Sequence, residues 1–216
     1  MSLKNKRILI TAGPTWVAID KVRVISNIAS GQTGKLLSKE AERAGAKVTL
    51  LLGPVAGDCC LGHSARIIRF KFFDELKELM LKELSFHKYD AVIHCAAVAD
   101  YRPKRSYMGK IGSGRKELSL RLEPTPKIID IIRRADHSLI LVAFKFEPQA
   151  AKVELIKKAR TLLKRSGADV VVANTADHNR YKAYIVREDA VRGAIFTKEA
   201  LSKALISEIG ARICRN

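Results

Sequence analysis

Three stretches of this chain carry residue types and spacings suited to binding a phosphorylated ligand. The first runs Thr11-Ala12-Gly13-Pro14-Thr15 and continues through Arg23, Asn27, Ser30, Gly31 and Gly34. Ser30, Gly31 and Gly34 stand where a helix must begin, and free backbone N–H groups at a helix start favour an anion. The glycines would let a phosphate approach the backbone closely. The same residues also suit a plain structural cap. The second stretch is Ala96-Ala97-Val98-Ala99-Asp100-Tyr101-Arg102-Pro103, where small residues leave room for a ligand and Asp100 offers a carboxylate. A turn-forming aspartate is the alternative. The third is Lys110, in a glycine-bearing loop suited to closing over phosphates, or else an ordinary surface lysine.

The elements that must position these residues follow from periodicity. Arg7–Thr11 reads as a short buried strand and residues 31–44 as a helix, with Leu36, Leu37, Ala41 and Ala44 at helical spacing. Gly45 ends that helix and Lys47–Leu52 is the next strand. This β–loop–α–β unit implies a parallel sheet. The alternation continues with a strand at Ile67–Phe70, a helix at Asp74–Leu84 and a buried strand at Ala91–Cys95. A long polar loop at residues 96–116 follows, then a half-exposed strand through Leu118, Leu120 and Leu122. Residues 126–134 read as a helix opened by Pro126, Leu139–Phe144 as a strand, Gln149–Arg165 as a basic helix and Val170–Ala173 as a strand. A hairpin at Tyr184–Val186 and Ala194–Phe196 and a helix at Lys198–Ile213 close the chain. The expected fold is α/β: one Rossmann-like three-layer domain over residues 1–216, with a mainly parallel sheet and a small antiparallel addition. Ligands in such sheets bind beyond the carboxyl ends of the strands, where all three stretches fall.

Composition bounds the function. The 216 residues are 47% hydrophobic and 29% charged, enough for a sizeable core. No apolar run approaches the ~18 residues that span a bilayer, and the start of the chain lacks a signal peptide's apolar core. The expectation is a cytoplasmic protein without a membrane partner. Forty Lys and Arg against 22 Asp and Glu leave a formal charge of +18, a field that attracts polyanions or phosphorylated substrates. Only 6% of residues are aromatic, so no base-stacking platform is evident and nucleic acid is not expected as a specific partner. Cys59, Cys60, Cys95 and Cys214 form no C-x-x-C pair and read as reduced thiols, Cys95 within a buried strand. The histidines His63, His87, His94, His137 and His178 show no metal-ligand spacing. A glycine dinucleotide fingerprint, a Walker phosphate loop and a Tyr-x-x-x-Lys pair are all absent, which weighs against a nicotinamide oxidoreductase.

Taken in order, these blocks resemble the phosphopantothenate–cysteine ligase family. The residues that carry the likeness are Ile10–Thr15 with Asp20 and Arg23, Ile25-Ser26-Asn27 with Ser30, Gly31 and Gly34, Ala96–Pro103, Lys110-Ile111, Thr125–Ile129, Val142–Phe144 and Val172-Ala173-Asn174. The resemblance implies a ligase in its free-standing form, without a preceding decarboxylase domain, acting in coenzyme A biosynthesis. In that reaction the carboxylate of 4′-phosphopantothenate attacks the α-phosphate of CTP (ATP in some members). Pyrophosphate leaves, and the amine of L-cysteine then displaces the nucleoside monophosphate. Mg²⁺ arrives with the nucleotide, and a homodimer is implied. A unit-charge pair at ~4 Å is worth ~4 kcal/mol at an effective dielectric of ~20, so cations and backbone donors should supply much of the stabilisation.

By the same resemblance Asn27 and Lys110 are the expected catalytic residues, Asn27 donating to the acyl oxygen and Lys110 contacting nucleotide phosphates. Arg23, Ser30, Gly31, Gly34, Ala96 and Ala97 would bind the substrate, Arg23 at or across the dimer interface. Gly13, Asp100, Pro126, Lys127, Ile128, Ile129 and Phe144 would hold the nucleotide. Departures from the family pattern also stand out. Gly112-Ser113-Gly114 interrupts a tract that is usually lysine-rich, and Leu162 and Ser166 align with family lysines. Lys158, Lys164 and Arg165 are the nearby basic residues able to replace them.

Overall fold

In the computed structural model, residues 2–57, 64–114, 116–177 and 180–214 are described. Six apolar segments form parallel strands: β1 (Arg7–Ala12), β4 (Lys47–Leu52), β5 (Arg66–Arg69), β6 (Ala91–His94), β9 (Ile140–Phe146) and β10 (Val170–Asp177). Each central strand reads as a continuous hydrophobic run because both faces of the sheet are covered. β10 pairs antiparallel with β11 (Arg180–Val186), and β11 with β12 (Val191–Ile195). The sheet order is β12-β11-β10-β9-β6-β1-β4-β5. The chain therefore leaves β1 toward one edge and returns to β1's other side with β6. That reversal opens a crevice at the carboxyl ends of β1 and β6.

Strand alternation divides the core in two. Ile8, Ile10, Ala91, Ile93 and Val172 face α1 (Gln32–Arg43) and α5 (Lys198–Ile213). Leu9, Val92, Leu141 and Val171 face α2 (Phe73–Phe86), α3 (Ile128–Ala135) and α4 (Lys152–Ser166). Each fully buried Leu or Ile contributes about 1.5–3 kcal/mol, so this double-sided burial drives the fold. No described helix is long and apolar enough to cross a membrane.

The expected architecture is observed, with corrections that bear on the site. The loop after β1 contains a small hairpin, β2 (Trp16–Ala18) with β3 (Val24–Ser26). The loop over residues 96–116 is not free: β7 (Tyr101–Pro103) pairs antiparallel with β8 (Leu122–Pro124). The strand expected through Leu118 and Leu120 is confined to that short β8, because neither face of residues 118–121 has a sheet to cover it. Pro126 does not open its helix; α3 begins at Ile128, after Lys127. Cys95 lies one residue beyond β6 and is only partly buried. Cys95 and Cys214 are free thiols, while Cys59, Cys60, His63 and His178 lie outside the described residues.

The helix packed most closely on the crevice shows why small residues are required. A Cβ on Gly34 would collide with Ala12 Cβ, so its bare backbone lets α1 sit on β1. Gly34→Ala is expected to cost about 1–3 kcal/mol by overpacking, read as a lowered urea midpoint. Gly109→Ala, with nothing within 4 Å of the added methyl, should stay within about 0.5 kcal/mol of the parent.

Candidate active site

A cleft of about 820 Å³ lies over the carboxyl ends of β1, β6, β9 and β10. Backbone hydrogen bonds stitch its floor together across the switch point. Ala97 N donates to Gly13 O at 2.9 Å, Thr15 N to Ala97 O at 3.2 Å, and Cys95 N to Thr11 O at 3.2 Å. The buried Thr15 hydroxyl accepts from Ala99 N at 2.9 Å, and Thr125 Oγ1 donates to Ala99 O at 2.6 Å. Asn27 reaches over this seam: its Nδ2 donates to Ala97 O at 3.2 Å and to Val98 O at 3.0 Å. Both amide hydrogens are thereby used, and Oδ1 is left as the free atom of an exposed side chain in the cleft.

One end of the cleft is the N-terminus of α1. Gly31 precedes it with a left-handed backbone, φ 68°, and offers no capping side chain of its own; Ser30 Oγ accepts from Gln32 N at 3.4 Å. A Cβ on Gly31 would lie 3.1 Å from Val55 Cγ1, and one on Gly13 (φ 80°) 3.0 Å from the same atom. Both glycines therefore serve backbone shape and close packing where the start of α1 meets the cleft. Ser30, Gly31 and Gly34 line this end. Gly34 contributes by letting the helix approach β1 rather than by making room for a phosphate.

The opposite end is the N-terminus of α3. Pro126, Lys127, Ile128 and Ile129 line it, with Lys127 ion-paired to Asp100 at the mouth. That pair is solvent-exposed, so its stabilisation is about 0–1 kcal/mol and it can open for a ligand. Ala96, Ala97 and Phe144 lie between the two ends. Of the basic residues on α4, Arg165 lines the cleft beside Leu162. Lys158 instead pairs with Glu147 at 2.7 Å and Glu154 at 2.9 Å. Among the described residues no group of three or more His, Cys, Asp or Glu side chains could hold a metal ion.

Arg23 and Lys110 do not line this cleft. Arg23 Nη1 pairs with buried Asp20 at 2.9 Å and donates to Ile111 O at 3.2 Å, while Lys110 is exposed. Asp20 also accepts from Val22 N, Arg23 N and Ile111 N, at 2.7, 2.7 and 3.0 Å. The Ile111 N–H, chiefly, with the other donors and the Arg23 charge, holds the Asp20 carboxyl down to about 2 despite its desolvation. Asp20 thus clasps the Lys110–Ile111 segment to the turn between β2 and β3.

Composition and spacing did not single out four further lining residues: His94, Lys198, Asn174 and Tyr181. Asn174 belongs to the family blocks, and the others sit at element ends whose spatial neighbours a linear reading lacks. Lys198 Nζ donates to Gln32 Oε1 at 2.8 Å, bringing a cation from α5 to the start of α1. Burial pushes the Cys95 thiol up to about 12, partly offset by Lys198, so this cysteine is a poor nucleophile.

Residues 3–212 match the model of the DNA/pantothenate metabolism flavoprotein C-terminal domain family. This chain belongs to that family. The coenzyme A biosynthesis bifunctional protein CoaBC of Thermococcus kodakarensis is 38% identical over 96% of this chain and 52% of its own length. The CoaBC of Borreliella burgdorferi is 33% identical over 88% and 48% respectively. The chain thus spans about half the length of these curated relatives. The DNA/pantothenate metabolism flavoprotein structure from Streptococcus pneumoniae superposes with a TM-score of 0.86 at 26% identity, covering 96% of this chain and 99% of that one. The CoaBC C-terminal domain gives 0.81 at 27% identity, covering 99% and 98%. A Cab2 mutant in complex with phosphopantothenate-cysteine shares the fold, at 18% identity and a TM-score of 0.80, over 98% and 87%.

The Asp20 clasp has a defined pH dependence. Its carboxyl sits below the ordinary value of 3.8, so its contribution is complete above that value and is lost as pH falls through about 2. The Ile111 amide should stay protected from hydrogen exchange, corrected for intrinsic rate, at pH 5 and lose protection in that acid range. Asp20→Asn should show the loss already at pH 7.

Proposed function

We propose that this chain joins L-cysteine to 4′-phosphopantothenate through an acyl-nucleotide, converting CTP or ATP to the nucleoside monophosphate and pyrophosphate. One observation carries the reading. A single cleft sets the N-terminus of α1 at one end against a second helix N-terminus with Lys127 and Arg165 at the other, and Asn27 bridges the seam between them. Such a cleft suits one substrate with a terminal phosphate and a second with a polyphosphate, meeting over the switch point. Membership of a family whose relatives are named for coenzyme A biosynthesis supports the same reading.

The roles follow from position. The α1 N-terminus with Ser30, Gly31 and Lys198 receives the pantothenate phosphate. Gly13, Ala96 and Ala97 leave room for the substrate's chain to approach the seam. Asp100, Lys127, Phe144 and the 126–129 segment hold the nucleotide, whose Mg²⁺ arrives with it. The substrate carboxylate displaces pyrophosphate at the α-phosphorus, forming a mixed anhydride. The cysteine amine then attacks the acyl carbon, the C–O bond to the nucleotide breaks, and an amide forms with loss of one proton. Asn27 Oδ1, fixed by the two bonds from its Nδ2, accepts from that amine and aims its lone pair.

Arg23 and Lys110 enter this reading through a homodimer. Their own segments expose apolar side chains at Val22, Val24, Tyr107 and Met108, surface that a second copy would cover. Each would then serve the partner's cleft. Residues 1–216 act in this reading as one synthetase-like domain. The +18 charge draws both anionic substrates inward, so their KM should rise with ionic strength.

Pyrophosphate release from CTP or ATP, with 4′-phosphopantothenate and Mg²⁺, should be sustained only when cysteine is present; no release from folded protein overturns the reading. Asn27→Ala should still form the acyl-nucleotide but pass it to cysteine about a hundredfold more slowly, from lost orientation. A parental second half-reaction would remove that role. Mixing Asn27→Ala with Lys110→Ala should give turnover well above that of either variant alone, since mixed dimers contain one complete site; no gain on mixing would overturn the shared-site reading.

A further inference from the structure

We propose that His94 is a further binding residue of this cleft: a hydrogen-bond donor, aimed by Thr11, for a phosphate oxygen of the bound nucleotide. The proposal rests on the ligase reading for the identity of the ligand, while the hydrogen-bond geometry stands apart from it. His94 is the last residue of β6 and pairs in register with Thr11 of β1, at the strand ends that flank the switch point. Alternation along β6 places its ring on the same side of the sheet as Val92, the side covered by α2, α3 and α4. Lys127 and Arg165 line the cleft on that side, together with the first turn of α3. The anionic part of a nucleotide would settle there.

Counting donors and acceptors fixes the state of the ring. The Thr11 side chain is fully buried, and its Oγ1 accepts from Ala96 N at 3.1 Å. The other partner of that hydroxyl among the described residues is His94 Nδ1, at 3.0 Å. For the buried Thr11 hydroxyl proton, His94 Nδ1 is the one acceptor among the described residues, so Nδ1 accepts and the ring hydrogen resides on Nε2. Desolvation pulls the His94 pKa down to about 4, so the imidazole is neutral near pH 7 and Nδ1 is free to accept. Nε2 has no protein partner among the described residues, and the partly buried ring lines the cleft. The result is a directional donor in the cleft that Lys127 and Arg165 also line, which adds geometry to their charge. A histidine serving only to brace Ala96 would need Nδ1 alone, leaving Nε2–H without a purpose.

The test compares His94→Leu, His94→Gln and His94→Asn by steady-state kinetics and by calorimetric binding of CTP and ATP. Removing one hydrogen bond to a charged phosphate oxygen is worth roughly a ten- to hundredfold effect. His94→Leu should raise the nucleotide KM and Kd by that factor, leaving the KM for phosphopantothenate and the cysteine-dependent half-reaction near parental values. His94→Gln, whose amide can reach the Nε2 position, should recover most of the loss, and the shorter His94→Asn should not. An unchanged nucleotide Kd in His94→Leu overturns the proposal, as does an equal loss for both substrates or a failure of His94→Gln to recover. If His94→Leu does not fold, the contrast between Gln and Asn gives the same decision. A parent protein that binds nucleotide without turnover would sink the ligase reading, and the Kd comparison would still decide His94.

Discussion

The cleft depends on how closely two backbone loops can approach each other at the switch point between β1 and β6. Gly13 O, Thr15 N and Thr15 Oγ1 bond directly to the 97–99 segment, and Asn27 adds two further bonds from above. Any bulk on either loop would part them. Gly13 and the alanines at 96, 97 and 99 are the residue types that permit the approach, and the left-handed φ of 80° at Gly13 turns the chain into it. The seam brings the mouths of β1 and β6 into one surface, so groups on both faces of the sheet can act on one pair of ligands.

The two ends of the cleft are built by the same physics on opposite faces. Each is a helix N-terminus with unsatisfied N–H groups and the positive end of a helix dipole. α1 is brought close by the absence of a side chain at Gly34, and α3 is set by Thr125, whose hydroxyl and amide bond to Ala99 O and Asp100 O. Cations arrive from distant sequence: Lys198 from α5 and Arg165 from α4. The segment bearing Lys110 is held apart from this cleft by Asp20, which takes four protein hydrogen bonds, so its position is part of the fold.

The parallel sheet was legible because its strands are buried on both faces and bounded by helices with clear periodicity. Lys47–Leu52 and Lys198–Ile213 agree with the structure to the residue. The short hairpins β2–β3 and β7–β8 were not legible. Three-residue strands that pair only with each other leave no alternation to detect, and Leu118 and Leu120 gave a strand pattern without a sheet to join. Glycine and alanine positions in the site were readable because small residues have few other reasons to cluster after a strand. The polar residues missed there need three-dimensional neighbours. His94 gains its meaning from Thr11, 83 positions away, and Lys198 from Gln32, 166 positions away. Asn27 was singled out by the family resemblance, but only the two carbonyls facing its Nδ2 show which end of the amide is free.

The central claim is that one cleft makes a substrate carboxylate attack the α-phosphorus of a nucleotide before an amine displaces it. The most direct measurement follows the oxygen. Phosphopantothenate labelled with ¹⁸O in its carboxylate is turned over with nucleotide and cysteine, and the products are read by mass spectrometry. The account predicts one labelled oxygen in the nucleoside monophosphate and none in pyrophosphate. Label in orthophosphate alongside a nucleoside diphosphate, or amide formed with no label in any phosphate, would contradict it.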